Sequence, residues 1–305
     1  MLDYIARKIC ESILVCITVS IVTFALIHWT GDLALSIGGM EASREEVERI
    51  RAFYGFDRSL VAQYLGWAGR VALGDLGTSF FSHDDVFWMI VNRLPVTLVL
   101  ALASLSLALL LGLPLGVLAA QRTGSVIDRI CLGVGVLGQA MPSYWSALLL
   151  ILLFGVKLQI LPISGTDSWR NFVLPSLALA WFVMPILMRL TRAGMIEALA
   201  SDYIRTARAK GLPWRIVLFK HALRNAILPV VSVAMVQLGF LLGGSIVIES
   251  VFALNGVGLL AWNAIQRSDF PVTQAIVMIV ALLFVLLNLV ADLVNGLLDP
   301  RIRMA

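Results

Sequence analysis

Charge is what this 305-residue sequence has least of: Asp, Glu, Lys and Arg make up 14% of it, against roughly 25% in ordinary soluble domains. With 60% hydrophobic residues beside that scarcity, a water-soluble enzyme of this length is excluded. Cysteine occurs only at Cys10, Cys16 and Cys131, with no CxxC spacing, which supports neither a disulfide framework nor a zinc site. Histidine occurs only at His28, His83 and His221, too scattered for a metal centre or a proton relay, so structural roles are expected. There is no GxxxxGK(S/T) phosphate loop, nor any Gly-Lys dipeptide, so any nucleotide hydrolysis belongs to another chain. Paired intramembrane aspartates, a Ser with His and HExxH are missing as well, which argues against an intramembrane hydrolase.

What is present is long apolar runs. Six stretches carry no charged residue: 12–31, 94–121, 130–156, 171–188, 225–248 and 270–291, of 20, 28, 27, 18, 24 and 22 residues. About 20 helical residues cross a hydrocarbon core about 30 Å thick, so six transmembrane helices are expected. The first follows Arg7 and Lys8 like a signal peptide, but the run is long and no small-residue cleavage pattern closes it, so it is expected to stay attached. Placing the N-terminus inside puts 14 basic residues on the inner segments and 3 in the two short outer loops, so both termini are expected in the cytoplasm. The expected organisation is 1–31 as the N-terminal end and first span, 32–93 as an outer segment, 94–292 as five further spans with a cytoplasmic loop at 189–224, and 293–305 as a cytoplasmic tail. The internal inverted repeats and midplane ionisable groups of stand-alone secondary carriers are not seen.

The 32–93 segment has a net charge of −3 and reads as short amphipathic helices. Ser43 with Glu46 makes a capping-box pattern. Val47, Ile50 and Phe53 then form one apolar stripe, and Leu60, Tyr64, Trp67 and Val71 another. Such helices either lie on the membrane surface as packing for the spans or help receive an external partner, and the sequence leaves both open.

The 189–224 loop carries Arg189, Arg192, Arg205, Arg208, Lys210, Arg215, Lys220 and Arg224 against Glu197 and Asp202. Its net +6 exceeds the +4 of the whole chain. Residues 197–210 read as one helix, Gly211, Leu212 and Pro213 as a break, and 214–224 as a resumption that leads into the fifth span. On the first helix Tyr203, Ile204 and Ala207 are expected to share a face while Arg205 and Arg208 present charge at i, i+3. Spacing alone fits both a helix docking into a groove on a cytoplasmic protein and a basic helix lying on anionic lipid.

The run from Asp202 to Val231, DYIRTARAKGLPWRIVLFKHALRNAILPVV, resembles the coupling-loop signature of ABC-transporter permeases of the dipeptide, oligopeptide, nickel and glutathione import family. The general importer form is EAA, three residues, Gly, nine residues, IxLP. Counting from Gly211, Arg205, Thr206 and Ala207 stand at the EAA positions, and His221, Ala222, Leu223 and Arg224 at the IxLP positions. Other segments are similar to family landmarks: Tyr54 to Leu60 with Gln63 and Tyr64, Gly74 to Ser79, Arg93 to Thr97, Met141 to Ser143, Leu174 to Leu177, Gly243 to Glu249, and Asp299 to Arg303. Departures occur at Thr30–Leu33, where the family has PGDP, and at Asn255–Gly258, where it has PGxG.

The resemblance implies an all-α integral membrane protein of the type I ABC importer permease fold in a bacterial inner membrane. It implies a second homologous permease subunit, two cytoplasmic ATPase subunits that hold ATP and Mg, and a periplasmic substrate-binding protein. Small peptides are the expected cargo, with nickel complexes, glutathione or opines as alternatives; membrane lipid is an expected partner, and nucleic acid is not. Tyr203, Arg205, Thr206, Ala207, Arg208, Lys210, Gly211, His221 and Arg224 are then the expected coupling residues. For a translocation path the spans offer Gln139, Gln237 and Asn288, with Glu249 and Asp292 at their borders, and each fits an interhelical hydrogen bond as well as a pathway wall. Pro142, Pro175, Pro185 and Pro229 are expected to kink or end helices, Pro142 being the best pathway candidate. Gly239, Gly243 and Gly244 are expected to permit close helix packing.

Overall fold

A computed structural model describes residues 2–29, 32–39 and 41–298. In chain order its helices are α1 (Leu2–Trp29), α2 (Leu33–Gly38), α3 (Arg44–Tyr54), α4 (Leu60–Ala72), α5 (Val86–Val91), α6 (Leu94–Gln121), α7 (Val126–Ala140), α8 (Ser143–Leu150), α9 (Val173–Ala200), α10 (Asp202–Ala209), α11 (Trp214–Ile216), α12 (Leu223–Ala226), α13 (Leu228–Gly244), α14 (Ile246–Val251), α15 (Val257–Gln266) and α16 (Phe270–Leu298). Wider π-type turns continue α8 over Ile151–Lys157 and α11 over Val217–Ala222. Among the described residues no strand forms beyond one isolated bridge, Thr78 to Asp85.

Among the described residues four stretches are long and apolar enough to cross a membrane: Cys10–Trp29, Val86–Gln121, Trp169–Ala200 and Phe270–Ala291. Two further bent pairs bring the number to the expected six when each is counted as one span. Val126–Ala140 with Ser143–Lys157 is bent by 101°, and Trp214–Ala226 with Leu228–Gly243 by 53°. The third charge-free run is therefore not a straight rod. Met141 is extended ahead of Pro142, because a proline ring disfavours helical geometry in the residue before it. Pro229 sits in the first turn of α13, where its missing N–H costs nothing. Pro185 lies inside α9, as does Pro114 inside α6.

The chain divides into two compact units, Met1–Pro95 with Asn255–Val285, and Val96–Leu254 with Leu286–Ala305. In the first, short helices start on side-chain caps. Asp32, Ser43, Ser59 and Asp85 accept from Ala34, Glu46, Ala62 and Trp88 amides, groups that no helical carbonyl satisfies. The cap expected at Ser43 is present, at 3.3 Å. Of the expected apolar stripes, Val47, Ile50, Tyr64, Trp67 and Val71 are half-buried, whereas Phe53 is 82% exposed and Leu60 is exposed. The turn after α4 is fastened onto the approach to α16: Asp269 is buried and accepts from the Ser79 hydroxyl and the Phe80 amide. The Arg267 guanidinium lies 4.0 Å from the Phe81 ring centroid, and Arg93 donates to Asn255 at 3.0 Å.

The second unit is organised around α9, which packs against α7, α8, α12, α13 and α14. Glycines permit the approach. A Cβ on Gly116 of α6 would lie 2.6 Å from the Met188 carbonyl oxygen, and one on Gly138 of α7 2.7 Å from that of Trp181. Gly194 of α9 meets Ala226 of α12 in the same way, at 3.0 Å from its carbonyl. Buried Glu249 accepts from the hydroxyls of Thr97 and Ser245, each at 2.8 Å.

Candidate functional site

The basic segment begins later than its charges suggest. α9 runs on through Ala200, so Arg189 and Arg192 belong to that helix, and each is bound to a residue of α7. Arg189 donates to Gln139 at 2.7 Å, and Arg192 grips both carboxylate oxygens of Asp128 at 2.7 and 2.8 Å. The helix expected over 197–210 is instead cut at Ser201, which is extended; α10 starts at Asp202. What projects is α10, the turn 210–213 and the stretch from Trp214 to Ala226.

This element is seated on a buried apolar cluster. Ile204 and Ala207 of α10 are buried in a cluster with Val117 and Ala120 of α6, Met195 and Ala198 of α9, and Val217, Leu218, Ala222 and Ala226. The face expected to combine Tyr203, Ile204 and Ala207 is thus split. Ile204 and Ala207 face inward, while Tyr203 is 41% exposed. The side left outward carries Arg205, Thr206, Arg208 and Lys210.

The turn closes α10 by chemistry that glycine makes possible. Gly211 has φ +75°, its N–H donates to the Arg208 carbonyl at 2.9 Å, and the Leu212 N–H donates to that of Ala207 at 3.3 Å. These two bonds form a Schellman cap around a left-handed residue. The Arg208 guanidinium sits 4.5 Å from the Trp214 ring centroid, holding the end of α10 across the turn by a cation–π contact. His221 is half-buried in the π-type turn, and Arg224 is exposed on α12.

Beside this element lies a cavity of about 530 Å³, lined among others by Glu197, Ser201, Tyr203, Asn225 and Ser232. The expected coupling residues from 203 to 211 are therefore brought together on one small element. The pathway candidates are not: Gln139 is exposed and spent on Arg189, Pro142 is exposed at the bend, Gln237 is buried in α13, and Asn288 is half-buried on α16. No hydrogen bond among the described residues links one of these to another. Gly239 is buried and Gly243 half-buried within α13, and Gly244 ends that helix. Close backbone approaches also occur at Gly116, Gly138 and Gly194. Missed by sequence reasoning were Asp128 as the partner of Arg192, and these glycines, whose spacing gave no sign of what they face. Thr30, Gly31 and Asp299–Arg303 lie outside the described residues, as does the side chain of Asp292.

Membrane-length helices, with a basic element seated on the ends of α6 and α9, define an integral membrane protein. The chain belongs to the family described as binding-protein-dependent transport system inner membrane component, whose profile matches residues 112–304. The N-terminal profile of the same transport systems matches residues 1–101. The glutathione transport system permease protein GsiC of Escherichia coli (strain K12) is 38% identical over 304 residues, covering 99% of both chains. The protein of that name from Shigella dysenteriae serotype 1 matches equally. Among solved structures, the MetNI methionine ABC transporter in an inward-facing conformation aligns with TM-score 0.57 at 20% identity, over 70% of this chain and 97% of the other. An amino acid ABC transporter with histidines aligns at TM-score 0.51 and 17% identity, over 70% and 94%. The protein is a multi-pass permease subunit of the inner membrane.

Proposed function

We propose that this permease forms half of a translocation pathway for small peptides, a homologous permease forming the other half. A periplasmic binding protein delivers the cargo, and two cytoplasmic ATPase subunits, which hold ATP and Mg, drive transport. The observation that carries this reading is the seat of α10. A helix whose inner face is buried against α6 and α9 and whose outer face is basic passes a push on its surface directly to the ends of two spans. When ATPase subunits close on ATP, a helix held in their cleft is dragged, and the attached spans tilt as levers. Glutathione, itself a tripeptide, is the first cargo to test, because relatives matching along the whole chain carry that name.

The coupling role is tested by Gly211→Val and by the double reversal Arg205→Glu with Arg208→Glu. Valine at φ +75° costs about 1–2 kcal/mol locally and distorts the cap. Arg205 pairs with Asp202 in an exposed contact at 3.1 Å, which contributes little to the fold. Both variants are expected to insert normally and to lose most binding-protein-stimulated ATP hydrolysis in the reconstituted transporter. Unchanged stimulation in both would remove the coupling assignment.

A further inference from the structure

Helix α4 belongs to the segment expected outside the membrane, yet its partners lie well down the first span. The Tyr64 hydroxyl is 2.8 Å from Ser20 Oγ. Ser20 stands nine residues before Trp29, the end of α1, which is about 13 Å along the helix axis, nearly the depth of one leaflet's hydrocarbon. Trp67 and Tyr64 pack on Phe24, with ring centroids 6.3 and 5.4 Å away. Their polar atoms are treated as water-free surroundings require. Ser20 donates to the Ile17 carbonyl at 2.7 Å, so Tyr64 donates to Ser20 and the chain is closed. Gln63 Nε2 donates to the Phe56 and Arg58 carbonyls, and its Oε1 lies 2.9 Å from His28 Nε2.

The opposite face of α4 has no polar group. Val61, Leu65, Gly69 and Ala72 follow one another around it at helical spacing, continued by Leu73; Val61, Leu65 and Leu73 are 69%, 63% and 89% exposed. Arg58 before the helix and Arg70 in its last turn are both exposed, placed as cations are at the level of lipid phosphates. An aqueous surface would leave these aliphatic groups in water, and a soluble external partner does not reach so far below the end of α1.

We propose that α4 is embedded in the outer leaflet, with Val61, Leu65 and Leu73 in contact with phospholipid acyl chains and Arg58 and Arg70 at the headgroups. The test places a nitroxide label at Val61→Cys, Leu65→Cys, Glu48→Cys or Ile21→Cys in the complete transporter, with the three native cysteines replaced. The transporter is reconstituted in phosphatidylethanolamine–phosphatidylglycerol nanodiscs, and collisional access of oxygen and of a nickel chelate is read by power saturation. Oxygen-to-nickel ratios at 61 and 65 are expected several-fold above that at 48 and close to that at 21, which reports insertion of α1 separately. A ratio at 61 and 65 equal to that at 48 would overturn the proposal in favour of water. Exclusion of both reagents would overturn it in favour of a protein cover. A photoreactive benzophenone side chain at 65, with native cysteines retained, is expected to crosslink to lipid, and crosslinking to a protein chain instead would likewise overturn it.

Discussion

At the scale of single residues, Asp128 and Arg192 form an ion pair between α7 and α9. Asp128 is buried at the start of α7 and accepts from the Gly124 amide at 2.9 Å as well as from both arms of Arg192. The fork geometry satisfies both carboxylate oxygens at once, and it ties the beginning of the third span to the end of the fourth. Removing one partner leaves the other unpaired at the edge of the bundle, whereas removing both leaves nothing stranded. Asp128→Ala and Arg192→Ala are each expected to lower the melting temperature of the purified permease by several degrees. The double variant is expected to fall short of the sum, as a thermal-shift double-mutant cycle would show. Additive losses would mean that the pair does not act as a unit.

At the scale of elements, close backbone approach fixes how α6, α7, α9 and α12 lie together. Nothing larger than hydrogen fits at Gly116, because a Cβ there would stand 2.6 Å from the Met188 carbonyl oxygen and 2.7 Å from Thr191 Cβ. Neither neighbour is the free end of a flexible chain, so the two helices have to separate. Gly116→Val is expected to destabilise the permease by about 3 kcal/mol, the upper part of the range for overpacking. By contrast, a Cβ on Gly133 of α7 meets nothing within 4 Å. Gly133→Ala is therefore expected to leave stability unchanged or slightly raised, since alanine is the better helix former. Comparing the two melting temperatures separates a packing constraint from the general cost of altering a transmembrane helix.

At the scale of the whole molecule, the chain is one part of a transport system. Family membership over residues 112–304 and relatives covering 99% of the chain set the secondary-carrier reading aside, because the systems in this family depend on a binding protein. Purification in mild detergent from native membranes is expected to recover a second multi-pass permease and P-loop ATPase chains with it. Uptake of labelled glutathione by the reconstituted assembly is expected to require the binding protein and ATP, and to be competed by unlabelled glutathione. Uptake that persists without any ATPase subunit would contradict the proposed assembly.

The sequence by itself determined that the chain is a membrane protein with six apolar segments and one basic element, since hydrocarbon thickness and the cost of buried charge act on composition directly. It also located the cap at Ser43 and the break at Gly211, which depend on neighbours within a few residues. Tertiary structure alone decided which basic residues are tied to distant helices. Arg189 and Arg192 lie in the same positive run as Arg205 and Arg208, and only the fold shows them bound to Gln139 and Asp128, 50 and 64 residues away. It also decided that Ala207 turns inward, how far the chain bends at Pro142 (101°), and that α4 reaches Ser20. A helix's pattern records which faces are apolar, but what each face meets is set by parts of the chain far away in sequence, and local spacing carries no trace of them.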